Sequence, residues 1–176
     1  MLQIKSLRET INGEYIRPES VLVDKYEEAL SSSVDGMKYL TEQRNLTLET
    51  IKHFRLGYHQ DYNAISIPIF NDGVLVNIKY RLLNPTNAKY MGEKGAETWI
   101  YNEQGMYSGM KHKKVLIVEG EFDLMSVWQS GIKNVVSPAS GKDSYGVWIE
   151  MLDKIDQVFI AYDNDAPGRE TAKEMA

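Results

Sequence analysis

Four carboxylates in the last third of this sequence stand where carboxylates do chemistry: Glu119, Asp123, Asp163 and Asp165. Glu119 follows the apolar run Val115-Leu116-Ile117-Val118 and precedes Gly120, which is expected to let the backbone turn sharply. Asp123 comes in the next helical turn, where it can point back toward Glu119. Asp163 follows a second run, Val158-Phe159-Ile160-Ala161-Tyr162, and Asp165 lies two residues on, which in extended chain puts both aspartates on one side. Carboxylates gathered at two strand ends repel, so a cation or protonation has to offset the charge. Oxygen donors with neither His nor Cys among them suit Mg2+ or Mn2+, held jointly by carboxylates and substrate phosphates. Taken singly, each aspartate has a plainer reading as a helix N-cap. Two acidic clusters, each at a strand end, point instead to a metal site used on phosphates.

The elements that must position these groups follow from the flanking pattern. Residues 113–119 and 157–162 read as fully buried strands and 134–137 as a short one. Between them come helices over about 122–130, stopped by Gly131, and 144–152, capped by Asp143; a third begins at Ala166, with Pro167 in its first turn. Strands alternating with helices imply right-handed crossovers and a parallel sheet flanked by helices, and open α/β sheets bind ligands at the carboxyl ends of their strands. Upstream, helices are expected over 18–30, with Val21, Tyr26 and Leu30 apolar, and through Met37, Leu40 and Arg44, capped by Ser33 or Asp35. Another starts at Thr47 or Thr50, buries Ile51, Phe54 and Leu56, and stops at Gly57. Residues 64–70 and 74–83, joined by Asn71-Asp72-Gly73, read as a hairpin. Residues 88–113 read as irregular. The expected organisation is a helical lead-in over 1–60, a β-rich basic part over 61–113 and an α/β part over 114–176, with no internal repeat.

Composition sets bounds. The chain has 176 residues, 43% hydrophobic and 26% charged, ordinary for a globular protein. It has no cysteine, which excludes disulfides and thiolate zinc sites within it and fits a cytosolic protein. No long apolar run suggests a signal peptide or a membrane span. The net charge is −5, but residues 1–114 carry 15 Lys and Arg against 14 Asp and Glu, while residues 115–176 carry 5 against 11. The acidic excess therefore lies where a cation site would need it, although acidic surfaces also serve solubility.

Cations and aromatics concentrate elsewhere. Lys79, Arg81, Lys89 and Lys94 fall within 16 positions, among Tyr80, Tyr90 and Trp99. Such residues can neutralise phosphates and stack on single-stranded bases, or can form a solvated strand face over core aromatics. Alternation puts Lys79 and Arg81 on one face. Lys142, after Ser140-Gly141 at a strand's carboxyl end, could reach a metal or phosphate. Ser126, one turn past Asp123, could orient it or be an ordinary helix serine. His53, His59 and His112 are scattered and read as structural, and Trp128 and Trp148 as core.

The two acidic segments resemble the motifs of Toprim domains. Val118-Glu119-Gly120-Glu121-Phe122-Asp123-Leu124-Met125-Ser126 is similar to the first, and Asp163-Asn164-Asp165-Ala166-Pro167-Gly168-Arg169 to the second. Tyr39 to Leu46 and Glu49 to Tyr58 resemble the helical lead-in of bacterial and phage primase cores. Ile67-Pro68-Ile69-Phe70, Lys79-Tyr80-Arg81 and Lys89-Tyr90-Met91 resemble the strands and basic motif before Toprim in primases, the Lys-Tyr-Arg form being closer to phage primase-helicases. The resemblance covers about residues 37–176. It implies a Toprim-type α/β fold after a small α+β subdomain, and metal-dependent RNA primer synthesis on single-stranded DNA. Glu119 would be the general acid/base, with Asp163, Asp165 and Asp123 as metal ligands beside it; Arg81, Lys89 and, more loosely, Lys79 would bind nucleotide or template. Ribonucleoside triphosphates and a replicative helicase, in cis or in trans, would be partners in a bacterial or phage-infected cytoplasm. Alternatives are a Toprim nuclease or a non-catalytic single-strand-binding module. Two departures, the missing zinc-ribbon cysteines and a Toprim region that stops soon after its second motif, lead us to expect a fragment or a reduced phage protein.

Overall fold

The computed structural model of the chain describes residues 17–86, 88–92, 96, 99–139 and 150–176. Its elements begin with α1 (Val21–Ser31), α2 (Val34–Lys38) running into a π-helical turn (Tyr39–Gln43), and α3 (Leu48–His53). Then come β1 (Gly57–His59), β2 (Ala64–Asn71), β3 (Val74–Leu82), β4 (Tyr90–Gly92), β5 (Ile100–Tyr101) and α4 (Glu103–His112). The last are β6 (Lys114–Val118), α5 (Glu121–Gln129), β7 (Val135–Pro138), β8 (Gln157–Ala161) and α6 (Ala166–Met175). One sheet is antiparallel in the order β1-β2-β3-β4. The other has the order β5-β7-β6-β8, with β6 parallel to both its neighbours and β5 antiparallel to β7. This is the mixed α/β architecture that the alternation of strands and helices implied.

The first part forms largely as its local signals direct. Ser33 accepts the Gly36 N–H at 3.0 Å and Thr47 the Thr50 N–H at 3.1 Å, so both expected caps are made. Asn71-Asp72-Gly73 turns the hairpin with positive φ at Asp72 and Gly73, as a tight two-residue turn requires. Two readings need correction. On α1 the buried stripe is Val23, Tyr26 and Leu30, while Val21 faces solvent. Gly57 does not stop α3, which ends at His53; it opens β1, where a Cβ would lie 2.5 Å from the Tyr26 side chain, so the glycine serves close packing of α1 on the sheet.

Both faces of the first sheet are covered. Ala64, Ile78 and Tyr80 pack against Val23 and Tyr26 of α1. Ile65, Ile67 and Ile69 face the other way, into a core that includes Ile117, Phe122, Leu124 and Val136 around the second sheet. Lys79 lies opposite Ile67 and Arg81 opposite Ile65 in the β2–β3 register, so both point toward that second sheet. The basic face is therefore an inner face.

Residues 88–113, expected to be irregular, hold β4, β5 and α4, the latter two joining the second sheet. Helix α4 was hidden by Gly105 and Gly109, poor helix formers. A Cβ on Gly105 would sit 2.3 Å from the Val135 carbonyl and one on Gly109 3.0 Å from that of Lys114, so both glycines let the helix lie against the strands. The other correction is β8. Its run was read as buried, yet Val158 is 39% and Phe159 52% exposed, because β8 is the outer strand of its sheet among the described residues. Residues 150–152 are helical; the expected cap Asp143, Trp148 and Lys142 lie outside the described residues. No described helix is long and apolar enough to cross a membrane.

Candidate metal and nucleic-acid site

Parallel pairing of β6 with β8 aligns Val118 with Ala161, so the two strands finish level and their next residues meet. The Glu119 carboxylate accepts the Asp163 N–H at 3.1 Å, tying the first acidic segment to the second. Gly120 is in ordinary extended conformation (φ −135°), so it supplies no sharp turn. What it supplies is room: a Cβ would lie 3.1 Å from Asp123 Oδ2, which folds back over it. Partial burial, and then the negative charge of Asp163, hold the Asp123 carboxyl above its usual range, while Arg44 pulls the other way.

The Asp-x-Asp segment divides its labour. Asp165 Oδ1 accepts the Gly168 N–H at 2.8 Å and caps α6, so its plain reading as a cap holds for that oxygen. Asp163 is exposed at the strand end. A Cβ on Gly168 would fall 2.2 Å from the Asp163 carbonyl oxygen, so glycine there is what lets α6 start against the strand end. Arg169 donates to the backbone and side-chain oxygens of Asn164 at 2.8 and 3.0 Å, closing the loop.

Among the described residues, no three His, Cys, Asp or Glu side chains come together as a metal centre. The couplings are pairwise, Glu119 with Asp163 and Asp163 with Asp123. The donor set fits a hard divalent cation: all oxygen, near solvent, mutually repelling, and few enough to leave coordination positions for phosphate and water. Glu119, Asp163 and Asp123 would hold it, while Asp165 spends one oxygen on the cap of α6.

A cationic wall faces this acidic edge. Arg44 and Arg81 both donate through Nε to the Tyr39 hydroxyl, at 2.8 and 3.0 Å. The Arg44 guanidinium lies 4.5 Å from the Phe122 ring centroid, on the helix that carries Asp123, and that of Arg81 lies 5.0 Å from Tyr90. Burial, then the charge of Glu121, push Tyr90 up to about 12, against the pull of Arg81 and Arg44. Lys89 is exposed. Lys79 is drawn inward, 2.7 Å from Glu121 Oε1 and 3.0 Å from the Ala139 carbonyl.

Three participants were missed as site residues. Arg44 and Tyr39 were read as parts of a helix, and only the π-turn and the packing on α5 turn them toward the carboxylates. Glu121, 2% exposed at its side chain, was visible in the motif but received no role. Other residues keep the plainer reading: Ser126 bonds the Phe122 carbonyl within its helix, His53 stacks on Trp128 and His59 on Tyr62, and His112 bonds the Ser108 carbonyl.

Residues 116–176 match the Toprim-like family model. Among curated relatives, the chain is 26% identical over 185 residues to the Twinkle homolog protein, chloroplastic/mitochondrial, of Arabidopsis thaliana, covering 95% of this chain and 24% of that protein. It is 28% identical over 134 residues to the Primase homolog protein of the same plant, covering 66% of this chain and 38% of that one. The chain thus spans well under half the length of either. Among solved structures, the zinc-binding and RNA polymerase domains of the Aquifex aeolicus primase superpose with a TM-score of 0.76 at 21% identity, over 88% of this chain and 49% of that one.

Proposed function

We propose that this chain, a Toprim-like domain on a primase catalytic-core fold, is the metal-dependent nucleotidyl-transfer core of a primase, making RNA primers on single-stranded DNA. The observation that carries this reading is the facing of two half-sites. Arg44 and Arg81 converge on Tyr39, and Arg44 lies beside Phe122 and acts on Asp123, so a bridging triphosphate would meet cations on one side and carboxylates on the other. In this reading residues 1–60 contribute Tyr39 and Arg44, residues 61–113 the basic strand, and residues 114–176 the carboxylates.

A bound Mg2+ or Mn2+ would supply charge neutralisation along the triphosphate and a lower pKa for the attacking hydroxyl. Arg44 and Arg81 orient the phosphates, and Tyr39 holds the two guanidinium planes in place for them. Lys89, exposed at the margin, holds the template or nucleotide backbone. Glu119 accepts the proton of the 3′-hydroxyl as its oxygen bonds to the α-phosphorus. The bond to pyrophosphate breaks, and pyrophosphate leaves with the electron pair. Lys142, outside the described residues, is proposed as a further phosphate contact. The proposed setting is a bacterial or phage-infected cytoplasm, with a replicative helicase as partner.

Labelled ribonucleotides, single-stranded DNA and Mn2+ test the reading. Template-dependent oligoribonucleotides are the supporting outcome. Strand cleavage would make the chain a nuclease, and retardation without chemistry would make it a binding module.

A further inference from the structure

We infer that Lys79 and Glu121 form an internal strut that spaces the cationic wall from the acidic strand ends, Lys79 acting through Glu121 and not through a nucleic-acid phosphate. The inference rests on the two-sided site above and assigns a positioning role within it. An ammonium has three donors. Here one meets Glu121 Oε1 at 2.7 Å, another the Ala139 carbonyl at 3.0 Å, and the group lies 4.6 Å from the Tyr90 ring centroid. Two of the three donors are so engaged, and Glu121 already neutralises the charge that a phosphate would seek.

The strut spans three elements. Lys79 is on β3, two residues from Arg81 on the same face. Glu121 opens α5, two residues before Asp123. Ala139 follows β7, so the contact also holds the strand between β5 and β6. Each end of the pair is thus one short step from a working side chain, and no other ion pair among the described residues crosses between the two sheets. The Glu121 end is buried, its side chain 2% exposed, whereas the Lys79 side chain is 21% exposed. The Trp99 Nε1, Tyr101 hydroxyl and Ser137 hydroxyl are buried with no hydrogen-bond partner, and the negative charge of Glu121 reaches the Tyr101 ring. The Glu121 charge cannot be left alone there without a large desolvation cost, so the two sheets are held at the separation at which Lys79 meets it.

Charge and position make opposite forecasts, which allows a test. If Lys79 acted only through its field, Lys79→Met would tighten Mn2+ binding by removing a nearby cation. The double variant K79M/E121M, which leaves net charge unchanged, would then match wild type. If the pair is a strut, both variants bind Mn2+ more weakly, by about ten-fold, as when a supporting partner of a metal ligand is lost. The double variant keeps the comparison usable, because apolar replacement of both members of a buried pair is often tolerated. Mn2+ titration by electron paramagnetic resonance, thermal unfolding to verify folding, and the salt dependence of single-strand binding are measured on all three chains. The expected result is weaker Mn2+ binding in both variants with an unchanged salt slope. A salt slope lowered by about one in Lys79→Met would make Lys79 a phosphate contact and overturn the inference. So would wild-type Mn2+ affinity in the double variant. A wild-type chain that bound no Mn2+ would instead remove the metal-site reading itself, and the strut with it.

Discussion

At the scale of single residues, the acidic segments hold groups with opposite effects on stability. Asp163 is exposed and repels Asp123, whereas Asp165 spends an oxygen on the first turn of α6. In metal-free buffer, Asp163→Asn should raise the melting temperature and also weaken Mn2+ binding. Asp165→Ala should lower stability by about 1 kcal/mol through the lost cap. Melting curves and Mn2+ titrations check both signs. The pH dependence follows from Asp123, whose carboxyl is raised in the folded chain. Its contribution is present at low pH and is lost as pH rises above the ordinary aspartate range of about 4 and through the raised value. Asp163→Asn removes one cause of that shift, so the loss of stability over this window should shrink, which melting temperatures across a pH series would measure. On the cationic side, Arg44→Ala and Arg81→Ala should each weaken single-strand or nucleotide binding and lower the salt slope by about one. Tyr39→Phe keeps both charges, so it should weaken binding at constant slope. Fluorescence anisotropy at several salt concentrations separates these cases.

At the scale of elements, the site depends on how closely helices start against strand ends. Gly168 is the tightest such point on the acidic side. With a Cβ 2.2 Å from the Asp163 carbonyl oxygen, Gly168→Ala must push α6 or the Asp163 backbone aside. Overpacking of this kind costs about 1–3 kcal/mol. Mn2+ affinity should fall as well, because the displaced backbone is the one bonded by Glu119. A variant that melts lower but binds Mn2+ normally would show that the strand end is not coupled to the helix start. Gly105 does the same service for α4, which explains why a helix with two glycines in ten residues is stable here: it is held by contact with β6 and β7 more than by propensity.

At the scale of the whole molecule, two half-sites face each other, and one flank of the second sheet is bare among the described residues. Val158 and Phe159 are exposed on the outer strand of the second sheet, an arrangement that favours association through unpaired edges. Phe159→Lys should reduce concentration-dependent association, read by sedimentation or light scattering, without changing Mn2+ affinity. On the proposed reading, affinity for nucleic acid in this cysteine-free chain would come from a few side chains against phosphates, so strands of different sequence should bind within about two-fold of one another and dissociate as salt rises. A strong preference for one template sequence would mean that the chain also carries base-reading groups, against a phosphate-only contact.

The sequence by itself determined the local features: the Ser33 and Thr47 caps, the Asn71-Asp72-Gly73 turn, the strand–helix alternation, and the ends of β6 and β8 that bring Glu119 beside Asp163. These depend on short-range chemistry, which a pattern of residue types carries. The tertiary structure decided what depends on contacts between distant segments. It turned Lys79 onto Glu121, 42 positions away, and Arg44 and Arg81 onto one tyrosine hydroxyl. It made a helix of a glycine-bearing segment and left an apolar strand exposed. Periodicity records which face of an element is apolar. It does not record what packs on that face, and the roles of Lys79, Arg44 and Phe159 depend on what does.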